Sequence, residues 1–161
     1  MDARNPASAT DTRNPVSTAN LAGHPLHPIL ITLPIGLFAA VFLCDLLYWS
    51  TAEAAFATAA IWLLGFGLLA AAFAAVAGLV DFLNDRRIRN IGDAWQHAIG
   101  NVILVLLQLF SFYQRYRYGA SAVLPLGLSL SLIAVLIMGF TGWKGGELVF
   151  RHRVAVYDEP R

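Results

Sequence analysis

The sequence predicts an all-α protein, an antiparallel bundle of four transmembrane helices. Of the 161 residues, 58% are hydrophobic and only 13% are charged, which is far more apolar than an ordinary globular domain. The apolar residues fall into four long blocks, and each block is long enough to cross a hydrocarbon core of about 30 Å. The predicted helices span about 28–49, 54–83, 93–113 and 123–143.

The membrane domain is expected over residues 23–156 as one unit. Residues 1–22 are rich in Ala, Asn, Thr, Ser and Pro, so a disordered polar tail is predicted there, without a cleavable signal peptide. Residues 157–161 form a second short tail. Cys44 is the only cysteine, which excludes an intrachain disulfide and a cysteine metal motif.

The first predicted helix begins at Pro28, because a fixed φ and a missing N–H suit the first turn. Prolines also disfavour the α region for the residue before them. His24 and His27 each precede a proline, so both imidazoles are expected in a rigid loop at the membrane edge. Pro34 should bend the helix.

The second predicted helix is longer than a perpendicular span needs, so it should tilt or protrude. Ala70, Ala74 and Gly78 recur every four residues, a spacing that lets helix backbones approach closely. Beyond the third helix, Arg115 and Arg117 are expected in a loop, where one of them should pair with an aspartate on the first helix. Further along, Gly145-Gly146 should break the fourth helix or turn it along the interface.

The aspartate that should pair with Arg115 or Arg117 is Asp45, near the far end of the first helix. Orientation follows from the other basic residues, which concentrate on the side that holds both termini and the loop 84–93. Among them are Arg13, Arg86, Arg87, Arg89, Lys144, Arg151, Arg153 and Arg161. The positive-inside rule therefore predicts that both termini are cytoplasmic.

With this topology, all four histidines fall near one membrane face. His24 and His27 precede the first helix, His97 lies one turn into the third, and His152 follows the fourth. Neutral imidazole is the commonest protein ligand for transition metals. We therefore predict a site for haem b or for a Zn, Cu or Fe ion, held by these histidines.

In this prediction His24, His27 and His97 are the metal ligands, and His152 is a further cofactor ligand. Asp81, Asn101 and Glu147 are the supporting groups, because a carboxylate or amide can orient a ligating imidazole. Haem is slightly favoured, since two histidines facing each other across the bundle would give axial ligation. A bare ion suits the closely spaced first pair at least as well, and structural histidines stay open.

The third predicted helix also carries a polar stripe. His97, Asn101, Gln108 and Ser111 fall within about 80° of one another. Amide groups need partners in lipid, so the stripe should face the other helices. It could serve interhelical bonding, a proton path or support of the histidine.

The motifs resemble a bacterial family of unknown function, the domain-of-unknown-function family numbered 2231, over about residues 22–156. They are GHPLHPILITLPIGL at 23–37, Asp45, GLVD at 78–81, His97 with Asn101, GGELV at 145–149, and His152. The family pattern ends with His-Gly-x-Gly, whereas this chain reads HRVA at 152–155. The resemblance implies a small four-helix protein of the bacterial inner membrane, and some relatives joined to Rieske-type domains imply an electron-transfer setting.

The predicted function is therefore binding of haem b or a transition metal at the cytoplasmic membrane face, in electron transfer. The alternative is a non-catalytic transport, assembly or structural module. Enzymatic activity stays open, although the helical serines form no nucleophile–base–acid set. The expected partners are the lipid bilayer, redox proteins or a second copy of the chain. The net charge of +1 gives no indication of nucleic acid.

Overall fold

The computed structural model describes residues 14–157, so the predictions for residues 1–13 and 158–161 lie outside the described chain. Helices dominate the fold, with one small hairpin before them. The strands are β1 (Asn20–Leu21) and β2 (His24–Pro25); the helices are α1 (Leu26–Leu30), α2 (Thr32–Thr51), α3 (Ala54–Asn84), α4 (Arg86–Arg89), α5 (Gly92–Tyr118) and α6 (Leu128–Phe150).

Three helical segments of the described chain are long and apolar enough to cross a membrane: Leu26–Thr51, Ala54–Asn84 and Gly92–Phe150. The third has 59 residues, roughly three times the number that one crossing requires. Its helical path is interrupted at Gly119, with φ 60° and ψ −139°, and at Leu124, with φ −119° and ψ 134°. It therefore consists of two helices, α5 and α6, which lie side by side in opposite directions.

The first predicted helix is interrupted near the proline that was expected to bend it, but it stays one helical segment. α1 ends at Leu30 and α2 begins at Thr32, while Ile31 between them keeps helical φ and ψ of −68° and −21°. Pro34 explains the interruption, because it cannot donate to the Leu30 carbonyl and its ring crowds that oxygen. His27 lies inside α1, so the prediction of a loop at this histidine was wrong. Pro28 disfavours but does not forbid a helical His27, since both lie in the first turn.

The boundaries of the last two helices also differ from the prediction. α5 continues to Tyr118, so Arg115 lies within a helix and not in a loop. α6 starts later, after a turn over Val123–Gly127, because Pro125 holds Leu124 in an extended conformation. α6 then runs unbroken through the glycine pair to Phe150.

Part of the predicted disordered tail is ordered. Ala22 and Gly23 both have positive φ, as a type I′ turn requires, and the turn joins β1 to β2 in a hairpin. The carboxylate of Asp81 in α3 accepts hydrogen bonds from the backbone N–H groups of Thr18 and Ala19, at 2.7 and 2.8 Å. These bonds hold the segment before the hairpin against the helices.

The long helices form two similar hairpins, α2–α3 and α5–α6. α2 packs against α3 and α6, and α5 packs against α6 and α3. The buried residues of α2 and α5 match at a spacing of 70 positions: Pro34 with Leu104, Phe38 with Gln108, Val41 with Ser111, and Asp45 with Arg115. Those of the second helices match at 67: Ala60 with Gly127, Leu64 with Ser131, Gly67 with Ala134, and Ala74 with Thr141. These pairs indicate an internal repeat whose halves turn the same faces inward, while Ala57, Ala94, Gly100 and Leu130 are buried without a buried counterpart.

Candidate functional site

His27 and His97 lie next to each other at one end of the helices. Their ring centroids are 5.9 Å apart and their planes are inclined by 85°. His27 is held by the first turn of α1, and His97 lies in the second turn of α5. The structure therefore brings together two of the histidines that the sequence predicts to converge.

Each imidazole is fixed by the same kind of hydrogen bond. Nδ1 of His27 lies 2.8 Å from the Ala74 carbonyl oxygen, and Nδ1 of His97 lies 2.8 Å from the Thr141 carbonyl oxygen. A carbonyl oxygen can only accept, so the proton is assigned to Nδ1 in both rings. In the neutral imidazole this leaves Nε2 with a lone pair, the form that binds a metal.

Glycines make these contacts possible. Gly78 and Gly145 each follow the accepting residue by one helical turn. A Cβ at Gly78 would lie 2.8 Å from Nδ1 of His27, and a Cβ at Gly145 would lie 3.1 Å from Cε1 of His97. Both rings therefore pack directly on a helix backbone. The predicted small-residue ridge through Gly78 thus accommodates a histidine.

The two half-sites obey the internal repeat. His97 follows His27 by 70 positions, the same spacing as the buried residues of α2 and α5. Thr141 and Gly145 follow Ala74 and Gly78 by 67. The segment α1–α3 and the hairpin α5–α6 thus each supply one histidine, one accepting carbonyl and one glycine, and the imidazole pair lies where the two halves meet.

Asn101 adjoins this pair, as expected for a supporting residue. Its side-chain amide donates to the backbone carbonyl of His97 at 2.8 Å and lies 3.2 Å from Nε2 of the same ring. With the proton on Nδ1, this Nε2 accepts from the amide. Asn101 therefore contacts the nitrogen that would have to turn to a cofactor.

The other predicted ligands lie elsewhere. His24 is exposed in β2, opposite Leu21. Nε2 of His152 lies 3.0 Å from Asp93, whose other carboxylate oxygen accepts from Lys144 at 2.9 Å. Within residues 14–157, no three His, Cys, Asp or Glu side chains come close enough together to hold a metal ion. The predicted ligand set of three histidines is therefore reduced to a pair.

The predicted carboxylate supports also have other partners. Asp81 accepts hydrogen bonds from the Ser17 hydroxyl and from backbone N–H groups of the N-terminal segment. It therefore fixes that segment rather than an imidazole. Glu147 lies 3.5 Å from Arg151. Neither carboxylate has a hydrogen bond to a histidine among the contacts of the described chain.

Asp45 and Arg115 form an ion pair deep inside the protein, which confirms the predicted pairing. Nη1 and Nη2 of Arg115 donate to the two carboxylate oxygens at 2.9 and 2.6 Å, and both side chains are at most 2% exposed. Nε donates to Ser111 at 3.3 Å. A Cβ at Gly127 would lie 2.8 Å from Nη2, so this glycine makes room for the guanidinium.

One comparison identifies the family. Residues 23–158, more than four-fifths of the chain, match the family described as "Predicted membrane protein (DUF2231)". The chain belongs to this family. The match includes both helical hairpins of this DUF2231 protein and both histidines of the pair. No characterised protein and no solved structure matches the chain.

In this DUF2231 protein, sequence reasoning missed three features of the site. The accepting carbonyls of Ala74 and Thr141 carry no side-chain signal. The bond between Asp93 and His152 joins residues 59 positions apart. The glycine clearance could have been suspected at Gly145, because a glycine within a long apolar helix lowers its stability and suggests a close contact.

Proposed function

We propose that the protein is a four-helix membrane bundle that binds a haem b between His27 and His97 and transfers electrons. The observation that supports it most is the pair of imidazoles at 5.9 Å, each with Nδ1–H donated to a carbonyl. That tautomer presents Nε2 as ligand, and the hydrogen bond at Nδ1 makes the imidazole a stronger donor to iron.

The separation of the rings is compatible with two ligands on one metal. A metal–imidazole bond of about 2.1 Å, with about 1.1 Å more to the ring centre, would put two such centroids about 6.4 Å apart. The structure has 5.9 Å between them, which is also the spacing of an ordinary edge-to-face ring contact. Both Nε2 atoms would therefore have to turn toward the iron, and His27 and His97, one from each half of the chain, are the residues that would hold it.

The number of ligands favours haem over a bare ion. Structural zinc sites require four protein ligands, and catalytic ones three. The described chain brings together no group of three candidate ligands. A porphyrin contributes four nitrogens of its own, so two histidines are sufficient. Bound haem would supply one-electron chemistry, for which redox proteins are the expected partners.

The residues of this chain would hold the group and control its surroundings. The carbonyls of Ala74 and Thr141 fix the two rings, and both imidazoles are partly buried between the helices. Asn101 would have to release Nε2 of His97 and could then donate to the carbonyl of that residue alone. Fixed ligands reduce the reorganisation that accompanies electron transfer.

In the proposed bundle α2, α3, α5 and α6 alternate in direction across the bacterial inner membrane. These helices contain 20, 31, 27 and 23 residues, and about 20 residues are enough for one crossing. The basic residues of α4 and of the C-terminal segment lie at the histidine end. The positive-inside rule therefore supports cytoplasmic termini and a site at the cytoplasmic face.

The deciding experiment measures haem and metal content after purification in mild detergent. We expect a Soret band and reducible α/β bands, lost in His27→Ala and in His97→Ala. Retained bands in His24→Ala and His152→Ala would be the matched controls. Because a ligating imidazole must be neutral, binding should weaken at acidic pH.

The competing role is structural, since the same two bonds link α1 to α3 and α5 to α6. His27→Gln and His97→Gln separate the roles, because a carboxamide can donate to a carbonyl but is a poor ligand for iron. Loss of colour in both glutamine variants, with the helical fold retained, supports haem ligation, and any fall in thermal stability should then be no larger than the loss of bound haem explains. A colourless, metal-free wild type, with stability lost in the alanine variants and kept in the glutamine variants, would establish the structural role instead.

A further inference from the structure

Gln108 has an unusual environment. It is fully buried in α5, and within the described chain it is the one buried side chain whose nitrogen and oxygen both lack a hydrogen-bond partner. An unpartnered amide is strongly unfavourable inside a protein and more so inside a membrane, where no solvent can replace the missing partner. Its polar atoms therefore point to a ligand.

Other polar groups lie at the same depth. Ser111 follows Gln108 by three residues, on the same helix face, and it accepts from Nε of Arg115 at 3.3 Å. Its own O–H takes no part in another contact of the described chain. Ser131 of α6 is also fully buried and donates to the Leu128 carbonyl at 3.1 Å, which leaves its oxygen free to accept.

The packing of α5 on α6 puts Ser131 at about the level of Gln108. Near one end of these helices His97 bonds to Thr141, and near the other end Arg115 lies against Gly127. In this antiparallel pair, a residue of α5 and a residue of α6 lie at the same level when their numbers add to about 240. The position of α6 at the level of Gln108 is therefore next to Ser131.

The internal repeat explains why the amide has no partner from the other hairpin. The counterparts of Gln108 and Ser111 are Phe38 and Val41, both buried. The first hairpin thus presents apolar groups where the second presents an amide and a hydroxyl. Gln108, Ser111 and Ser131, which we call the polar cup, thus lie at about one level on the buried faces of α5 and α6, and the first hairpin presents apolar groups at the equivalent positions.

We propose that this polar cup binds one or two internal water molecules. Water has two donors and two acceptors, and it requires two to four polar partners. The carboxamide, the Ser111 O–H and the Ser131 oxygen supply both kinds. A larger solute is unsuitable, because Phe38 and Leu64 are at most 2% exposed and fill the core.

The bound water connects to the ion pair but not to the histidines. Ser111 joins the polar cup to Arg115 and, through it, to Asp45. On the other side, buried Leu104 lies one turn before Gln108 and separates it from the imidazole pair. The polar cup is therefore a closed hydration site for the ion pair, and it does not depend on haem binding.

Infrared spectroscopy of the purified protein in H₂¹⁶O and H₂¹⁸O tests this proposal directly. The difference spectrum of the wild type minus Gln108→Met cancels the bulk-water absorption, and an internal water leaves in it an O–H stretching band that shifts with the oxygen isotope. We expect the band in the wild type, its loss in Gln108→Met and its weakening in Ser111→Ala. Gln114→Met is the matched control, because Gln114 lies on the same helix outside the polar cup, and the band should remain.

Thermal unfolding provides a second readout that does not require a resolved band. If the amide is truly unpartnered, the apolar Gln108→Met should raise the unfolding midpoint markedly. If it is bonded to water, the substitution should leave the midpoint unchanged or lower it. A marked rise, or an isotope-sensitive band that persists unchanged in Gln108→Met, would overturn the proposal.

Discussion

Exchanging the charges of the buried ion pair tests the internal repeat as well as the energetics. Breaking a buried pair by removing one partner costs about 3–5 kcal/mol, because an unpaired charge remains. Asp45→Ala and Arg115→Ala should each lose this amount. For a chain of this size that corresponds to a fall of about 6–20 °C in the unfolding midpoint.

The repeat places Asp45 and Arg115 at equivalent positions, so the exchanged pair should form again. Two differences between the hairpins should keep the exchanged pair from restoring the full stability of the wild type. The counterpart of Gly127 is Ala60, which would crowd an arginine at position 45, so Ala60→Gly must accompany the exchange at a cost of about 1 kcal/mol. The counterpart of Ser111 is Val41, so a hydrogen bond worth about 1 kcal/mol is also missing.

The triple variant Asp45→Arg, Arg115→Asp, Ala60→Gly should therefore be only about 2 kcal/mol less stable than the wild type. The assay is thermal unfolding in detergent, followed by circular dichroism. Arg151→Ala is the matched control, because its ion pair is exposed and spans 3.5 Å, so little stability should be lost. A triple variant no more stable than the single variants would refute the equivalence of the two hairpins.

Three further predictions follow from the fold. Gly145→Ala should destabilise the protein and displace His97, whereas Gly139→Ala on the same helix should not, because a Cβ there meets nothing within 4 Å; thermal unfolding compares them. Asp81→Ala should release the N-terminal segment and make it sensitive to protease, and an unchanged cleavage rate would argue against the clamp. A reporter fused after residue 161 should be cytoplasmic and one near residue 119 periplasmic; the reverse would invert the orientation.

The class of the protein could be predicted from the sequence, because apolar blocks of membrane length leave few alternatives. The bounds of α3 were also close, since a tight turn at Ala52 and the basic residues after Asn84 mark its ends. One rule predicted both that Gln108 and Ser111 face inward and that Asp45 pairs with an arginine. Polar side chains in a membrane require partners.

The site was less predictable, because loop positions near one membrane face do not determine distances. His24 and His152 lie at the expected end, yet a hairpin and an aspartate hold them away from the imidazole pair. The internal repeat was also hidden from the sequence. The paired positions carry different side chains, such as Phe38 and Gln108. Packing determines which face of a helix is buried, but it constrains the residue type at each buried position less strongly.

The spectrum that tests the account most directly is the electron paramagnetic resonance spectrum of the purified, oxidised protein. His27 and His97 have nearly perpendicular planes, at 85°. A haem held by His27 and His97 with this inclination retained would give a low-spin ferric signal of high anisotropy, because imidazole planes at right angles leave the iron d orbitals close in energy. A high-spin signal, a low-spin signal typical of parallel rings, or the absence of any haem signal would contradict a haem held between these two histidines.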